Sequence, residues 1–330
     1  MKIFKRLFIL IVTFSILFTN NYFVQASQPV YYVGGFALGF DLNSNGALVV
    51  GLTDVVCEDG IFQPAREAGI NCGDYILSIN GTKITRAEDI DLALKGLNGE
   101  FIVVELVSKG ERSIKNVQPK KDITGNYKIG VLIRDYLSGI GTVTIINEDM
   151  LFSSLGHPIL DEENQLLRVS GGTVFGCKII GAIKGERGKA GELAGQIIRT
   201  QSIGEIYANT PVGLIGKIND KNLLKGLEKM QIGKPMPGKA QIYTTICREK
   251  PQKYDVSIVK TCDDKNNKDL VIKVTDDRLI KYTGGIVQGM SGSPIVQDGK
   301  IVGAITHVFL NDGTRGYGID INKIVLKIDK

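Results

Sequence analysis

Forty of the 330 residues are glycine, and they stand between short apolar runs, with few long helical periods. That spacing is the strongest constraint on the fold. A chain interrupted this often by Gly, Asn and Asp, with Val, Ile and Thr spread throughout, predicts short strands joined by tight turns. Hydrophobic residues at 43% and charged residues at 23% are ordinary for a chain with a buried core, so neither disorder nor a polytopic membrane protein is indicated. The length predicts two or three domains. A net charge of +5, its basic residues scattered among acids with little aromatic interleaving, implies no nucleic-acid partner.

The first residues read as an export signal. Lys2, Lys5 and Arg6 precede the apolar stretch Leu7 to Phe18, and a polar region ending in "VQAS" follows. The apolar run is shorter than the roughly 20 residues a spanning helix prefers. Residues 1–26 are therefore expected to be a cleaved signal peptide or a retained membrane anchor, with the body of the protein outside the cytoplasm. Cys57, Cys72, Cys177, Cys247 and Cys262 form no CxxC pair and are read as small buried side chains. Cys247 and Cys262 can pair only if their strands are neighbours. With only two histidines, a metal site has little to draw on, and no metal or organic cofactor is expected.

Residues 34–121 form a first unit. "GGFALGFDL" and "GALVVGL" lead to "FQPAREAGINCGDYILSINGTKI", a helix is predicted over "RAEDIDLALKGL", and "EFIVVELV" alternates as a strand. In this order the segments resemble a PDZ domain. The short helix is Pro64-Ala-Arg-Glu-Ala-Gly-Ile, and turns at Gly73-Asp74 and Asn80-Gly81 flank a strand. Ala37, Leu38, Gly39 and Phe40 resemble the loop that receives a peptide's terminal carboxylate. Backbone N–H groups of a Gly-containing loop can point at a carboxylate, while a sheet edge accepts the peptide as an added strand.

The second unit, residues 122–330, is dense in turn signals and suggests a sandwich or a pair of barrels. Its loop-rich break at Lys217 to Ala240 is a natural seam between two sub-barrels. Near its end, "GMSGSP" places Ser291 between glycines. A serine hydroxyl needs a base in reach, a group orienting that base and donors for the developing oxyanion. Glycine on both sides permits strained dihedrals and leaves the Gly289 and Ser291 amides free as an oxyanion hole. The pattern is similar to the nucleophile turn of chymotrypsin-like proteases, with Ser293 where those carry a second Gly and Met290 where Asp is common. The base is His157, in "SSLGHPI", or His307, in "IVGAITHVFL"; the residues alone leave both open.

From "IGVLIRDYLSGIGTVTI" through "LGHPI", "GGIVQGMSGSPIVQDGKIVGAITHVFLND" and "GYGI", the second unit resembles the stage IV sporulation protein B peptidases. The resemblance implies a mainly β protein with an N-terminal signal or anchor, a PDZ domain and a chymotrypsin-like double β-barrel. It also implies His157 as base, Ser291 as nucleophile and Asp276, in "KVTDDRLI", as acid. If that last stretch is extended, only one of Asp276 and Asp277 points inward. The activity so implied is a serine endopeptidase of endospore formation. It would cleave itself and cut membrane-associated regulatory proteins between forespore and mother cell, its PDZ domain regulating it or presenting substrate. A catalytically inactive PDZ-containing binding protein is the alternative. After "GYGI" the tail "DINKIVLKIDK" departs from the family pattern.

Overall fold

The computed structural model describes residues 29–161, 164–247, 250–264 and 266–329. The expected signal or anchor at 1–26 lies outside them. Among the described residues no helix is long and apolar enough to cross a membrane.

The chain opens with β1 (Val30–Val33) and the sixteen-residue β2 (Ala37–Leu52). It then leaves on an excursion of short elements: β3 (Val55–Cys57), β4 (Gly60–Phe62), α1 (Pro64–Glu67), β5 (Tyr75–Ile79), β6 (Thr82–Lys83), α2 (Ala87–Leu94), β7 (Ile102–Ser108), β8 (Glu111–Val117), β9 (Lys120–Lys121) and β10 (Tyr127–Lys128). The expected helix and strand are present. In β7 the pleat buries Ile102, Val104 and Leu106 and turns Val103 outward, the period-two pattern of a half-covered sheet. These residues join Ile76, Ile79, Ile90 and Leu94 in one apolar core.

The return strand, β11 (Val131–Ile146), runs antiparallel to β2 from Val131 opposite Leu52 to Thr142 opposite Ala37. Both strands therefore serve two units. Their distal halves belong to the excursion, where Ala47 and Leu48 pair with β5, and their proximal halves belong to a barrel. The PDZ-like unit is thus inserted at the end of a hairpin, whereas the sequence placed all of 34–121 inside it. Residues 37–43 are barrel, and residues 129–134 return to complete the inserted unit.

The barrel continues with β12 (Leu151–Leu155), β13 (Val169–Ile183), β14 (Glu192–Thr210) and β15 (Gly213–Ile218). Pairings β2–β11, β11–β12, β12–β15, β15–β14, β14–β13 and β13–β2 close a ring of six strands, which leaves no open edge to manage. Leu38, Phe40, Leu42, Val143, Phe152, Val174, Ile206 and Leu214 fill it. The expected seam follows, carrying a short 3-10 helix at Lys221–Leu224 and β16 (Lys229–Gln231), which pairs with β1 outside the ring.

A second six-stranded barrel is built from β17 (Gly238–Thr244), β18 (Gln252–Thr261), β19 (Leu270–Val274), β20 (Pro294–Gln297), β21 (Lys300–Phe309) and β22 (Asp312–Asp320), closing in the order β17-β18-β19-β22-β21-β20. Helix α3 (Asp277–Thr283) leads into the turn that carries Ser291. The divergent tail forms α4 (Ile321–Ile328), whose Ile321, Ile324 and Ile328 are buried on one face. Five free thiols remain, and none is fully buried; Cys72 and Cys262 are exposed. That corrects the expectation of burial for Cys72 and Cys262, whereas Cys177 and Cys247 are half-buried against the second barrel's core.

Candidate active site

Ser291 sits on a turn pressed between the two barrels. Gly289 and Gly292 both have φ of +94°, a region costly to any residue with a β-carbon. At Gly292 space is decisive too: a β-carbon would stand 2.2 Å from the Thr142 carbonyl oxygen. Met290 between them is wholly buried in the second barrel's core. The first barrel grips this turn from the other side. Thr142 donates its N–H to the Ser291 carbonyl (3.1 Å) and its hydroxyl to the Gly289 carbonyl (2.8 Å). Thr144 donates its hydroxyl to the Gly292 carbonyl at 2.8 Å. Gln288 exchanges backbone bonds with Gly191 and Leu193 at the start of β14.

With the Met290 carbonyl accepting the Ser293 N–H, each carbonyl from Gln288 to Gly292 is paired within the protein. Among the described residues, the N–H groups of Gly289 and Ser291 donate to no protein acceptor. Two such amides, two residues apart on a rigid turn, are suited to receive a developing oxyanion. The Ser291 hydroxyl itself donates to the Thr306 carbonyl of β21 at 2.9 Å.

His157 approaches from the first barrel. Strand β12 ends in two successive left-handed residues, Leu155 (φ 73°) and Gly156 (φ 71°), the first of which costs roughly 1–2 kcal/mol for a non-glycine. This sharp reversal carries the imidazole over β21, where its ring lies 4.9 Å from that of His307. The same turn touches β21 and the serine's own turn. A β-carbon on Gly156 would meet Thr306 at 3.1 Å, and one on Gly292 would lie 2.5 Å from the Leu155 nitrogen. The neighbours of His157 and Ser291 are therefore in direct contact, across 134 residues of sequence.

His157 Nδ1 bonds to the Pro158 carbonyl at 2.9 Å. A carbonyl can only accept, so Nδ1 carries the proton and Nε2 keeps its lone pair. Burial holds the His157 pKa below its ordinary value, against the smaller opposing effect of that hydrogen bond. His307 is lowered as well, first by burial of the ring and then by the charges of His157 and Lys268. The pair thus disfavours a proton on the ground-state imidazole, as a general base requires.

The Asp276 carboxylate has other partners. The "TDDR" stretch is not extended: Asp276 caps α3 and accepts from the Arg278 N–H, while Asp277 opens the helix. Its carboxylate also takes Arg278 Nη2 at 2.7 Å and the Asp255 N–H at 3.3 Å. Arg278 holds the carboxyl down at about 2. Among the described residues no hydrogen bond or ion pair joins it to His157. The turns that carry Ser291 and His157 meet through Leu155, Gly156 and Gly292; the Asp276 carboxylate is bonded to Arg278 and Asp255 instead.

The peptide-receiving loop is also displaced from expectation. Ala37, Leu38, Gly39 and Phe40 form no loop, because they lie within β2, paired with β11 on one side and with β13 on the other. Gly39 is a packing glycine, its absent β-carbon leaving room for Ile197 at 2.6 Å. The inserted unit instead has a groove of about 480 Å³ between α2 and the start of β11, lined by Ile90, Leu94, Ile129, Gly130, Val131 and Leu132. Gly130 has φ of +76°, and a β-carbon there would stand 2.4 Å from the Thr53 carbonyl oxygen. Among the described residues the Ile129 and Gly130 N–H groups have no acceptor. A pair of free amides in "KIGVL", beside an open strand edge, is the carboxylate-receiving geometry.

Two closed six-stranded barrels meeting at a cleft with a serine, a histidine and two free amides define the chymotrypsin-like serine peptidases, here with a PDZ unit inserted in the first barrel. A family model of the SpoIVB peptidase S55 matches residues 125–325, and a PDZ-domain model matches residues 60–107. The chain belongs to the SpoIVB peptidase S55 family, a family of serine peptidases. It is also similar over short stretches to two proteins named "Putative zinc metalloprotease". One, from Lactococcus lactis subsp. lactis (strain IL1403), is 32% identical over 69 residues, 21% of this chain and 16% of that protein. The other, from Clostridium perfringens (strain 13 / Type A), is 34% identical over 68 residues, 21% of this chain and 20% of that protein. The chain spans about a sixth to a fifth of the length of these relatives. Among the described residues no group of three or more His, Cys, Asp or Glu is placed to hold a metal ion.

Proposed function

We propose that the protein is a serine endopeptidase of endospore formation, exported into the space between forespore and mother-cell membranes. There it cleaves itself and cuts membrane-associated regulatory proteins, with the PDZ groove regulating it or presenting substrate. Family membership supports the peptidase and its setting; the basic and apolar N-terminal sequence supports export. The observation that carries the reading is the grip of the first barrel on the Ser291 turn, beside which the Gly289 and Ser291 amides stay unpaired among the described residues.

In the reaction, Ser291 Oγ leaves the Thr306 carbonyl, gives its proton to His157 Nε2 and forms a bond to the substrate carbonyl carbon. Charge developing on the carbonyl oxygen is met by the two amides. Collapse breaks the C–N bond, and the imidazolium returns its proton to the departing amine. Water then repeats the cycle on the acyl-enzyme. Asp276, the acid by resemblance, can take that part only after releasing Arg278.

One observation favours the second reading, an inactive PDZ-containing regulator: the serine hydroxyl is bonded to Thr306 and not to the imidazole. The test is the purified full chain followed with time beside Ser291→Ala. Shortening at the N-terminus and labelling by a fluorophosphonate, both lost in the variant, are expected. Equal shortening of both chains, with no labelling of either, leaves the peptidase reading without support.

A further inference from the structure

The histidine turn is held by a side chain that the sequence did not single out. Asn209, near the end of β14, is only 8% exposed and spends its amide on the segment that follows His157. Its Oδ1 accepts the Ile159 N–H at 3.0 Å; its Nδ2 donates to the Ile159 carbonyl at 2.7 Å and to the Leu167 carbonyl at 2.9 Å. The Ile159 N–H and the Pro158 carbonyl are two ends of one peptide plane. That plane is therefore bonded to Asn209 at its nitrogen and to His157 Nδ1 at its oxygen.

We propose that Asn209 is the positioning residue of this site: it locks the Pro158–Ile159 peptide and, through that carbonyl, fixes the ring orientation and tautomer of His157. The inference rests on His157 acting as base for Ser291. A free neutral imidazole samples both tautomers, and only the one protonated on Nδ1 leaves Nε2 able to take the serine proton. An acceptor fixed at Nδ1 selects that form, which is the part an orienting group plays in a triad. Polarisation of the Ile159 N–H by Oδ1 pushes electron density into the amide and also makes the carbonyl at the other end of the plane a better acceptor. Asparagine suits the place because the segment presents one donor and two acceptors; a carboxylate would face two carbonyl oxygens.

The test uses the full chain with Asn209→Ala and Asn209→Asp, the second keeping the acceptor should the first fail to fold. The chain has only two histidines, so 15N-histidine labelling gives a simple spectrum. In the parent protein the Nδ1 of His157 is expected at the protonated position and Nε2 at the unprotonated one. In Asn209→Ala the two should move toward a mixture. The maximal rate of fluorophosphonate labelling should fall at least tenfold, its half-saturation should change less than twofold, and the acid limb of its pH profile should move to lower pH, because the lost Pro158 bond favoured the protonated ring. Asn209→Asp should be intermediate. A variant that melts lower yet keeps the parent tautomer and labelling rate reduces Asn209 to a loop staple and overturns the proposal. Labelling that persists in Ser291→Ala or His157→Ala overturns the underlying reading instead.

Discussion

Thr142→Val asks whether the first barrel sets the oxyanion hole in the second. The substitution keeps shape and deletes one hydroxyl, whose 2.8 Å bond ends on the Gly289 carbonyl. Thr142 is 1% exposed, so the abandoned carbonyl regains little hydration, and the loss is about 1–2 kcal/mol. For a unit of this size that lowers Tm by roughly 2–8 °C. The kinetic consequence is separable from the thermal one. Deleting an oxyanion donor outright costs about 10²–10³ in kcat, and loosening the peptide that carries it should cost a fraction of this, roughly 3- to 30-fold. Calorimetry gives the first quantity and the fluorophosphonate labelling rate, corrected for active fraction, gives the second. Thr144→Val, which frees the Gly292 carbonyl, is the control for stability alone. A Thr142→Val chain that melts lower but labels at the parent rate would refute the idea that this bond holds the Gly289 amide.

Two further outcomes are expected. The Asp276 carboxyl is depressed from 3.8 to about 2 by Arg278, so its contribution is complete above pH 4 and disappears as pH falls toward 2. Asp276→Asn should lower stability at neutral pH by about 1–2 kcal/mol, discounted because Arg278 is largely in solvent, and the two melting curves should converge near pH 2; a constant gap would exclude the ion pair as its source. Gly130→Ala should abolish capture by immobilised peptides with free carboxyl termini, whereas Gly39→Ala should destabilise the barrel and leave capture intact. The reverse pattern would return the peptide loop to "ALGF".

Strand-rich architecture, the inserted helix and the serine turn were legible because each is written locally: alternation in "EFIVVELV", a helical period in "RAEDIDLALKGL", glycines about Ser291. "ALGF" and "KIGV" are equally good glycine loops as strings. Which one stays unpaired depends on β13 lying against β2, a contact between residues about 135 apart. The conformation about Asp276 was not legible for a related reason. Thr-Asp-Asp-Arg reads as strand when alternation is assumed, yet Asp is among the best helix caps, and Arg278 two residues on supplies its charge partner. Asn209 carried no signal at all, since its meaning lies in a loop 50 residues earlier.

Most appended modules hang from a flexible tether and sample many orientations about their host. Here the attachment is a pair of mutually bonded ribbons: β11 is one strand from Val131 on the groove floor to Thr142 against the nucleophile's turn, its register on β2 shifting between Leu132 and Ile133 and between Arg134 and Tyr136, a span of roughly 36 Å at about 3.3 Å per residue. The wall of the peptide cleft and the brace of the Ser291 turn are thus two stretches of one strand.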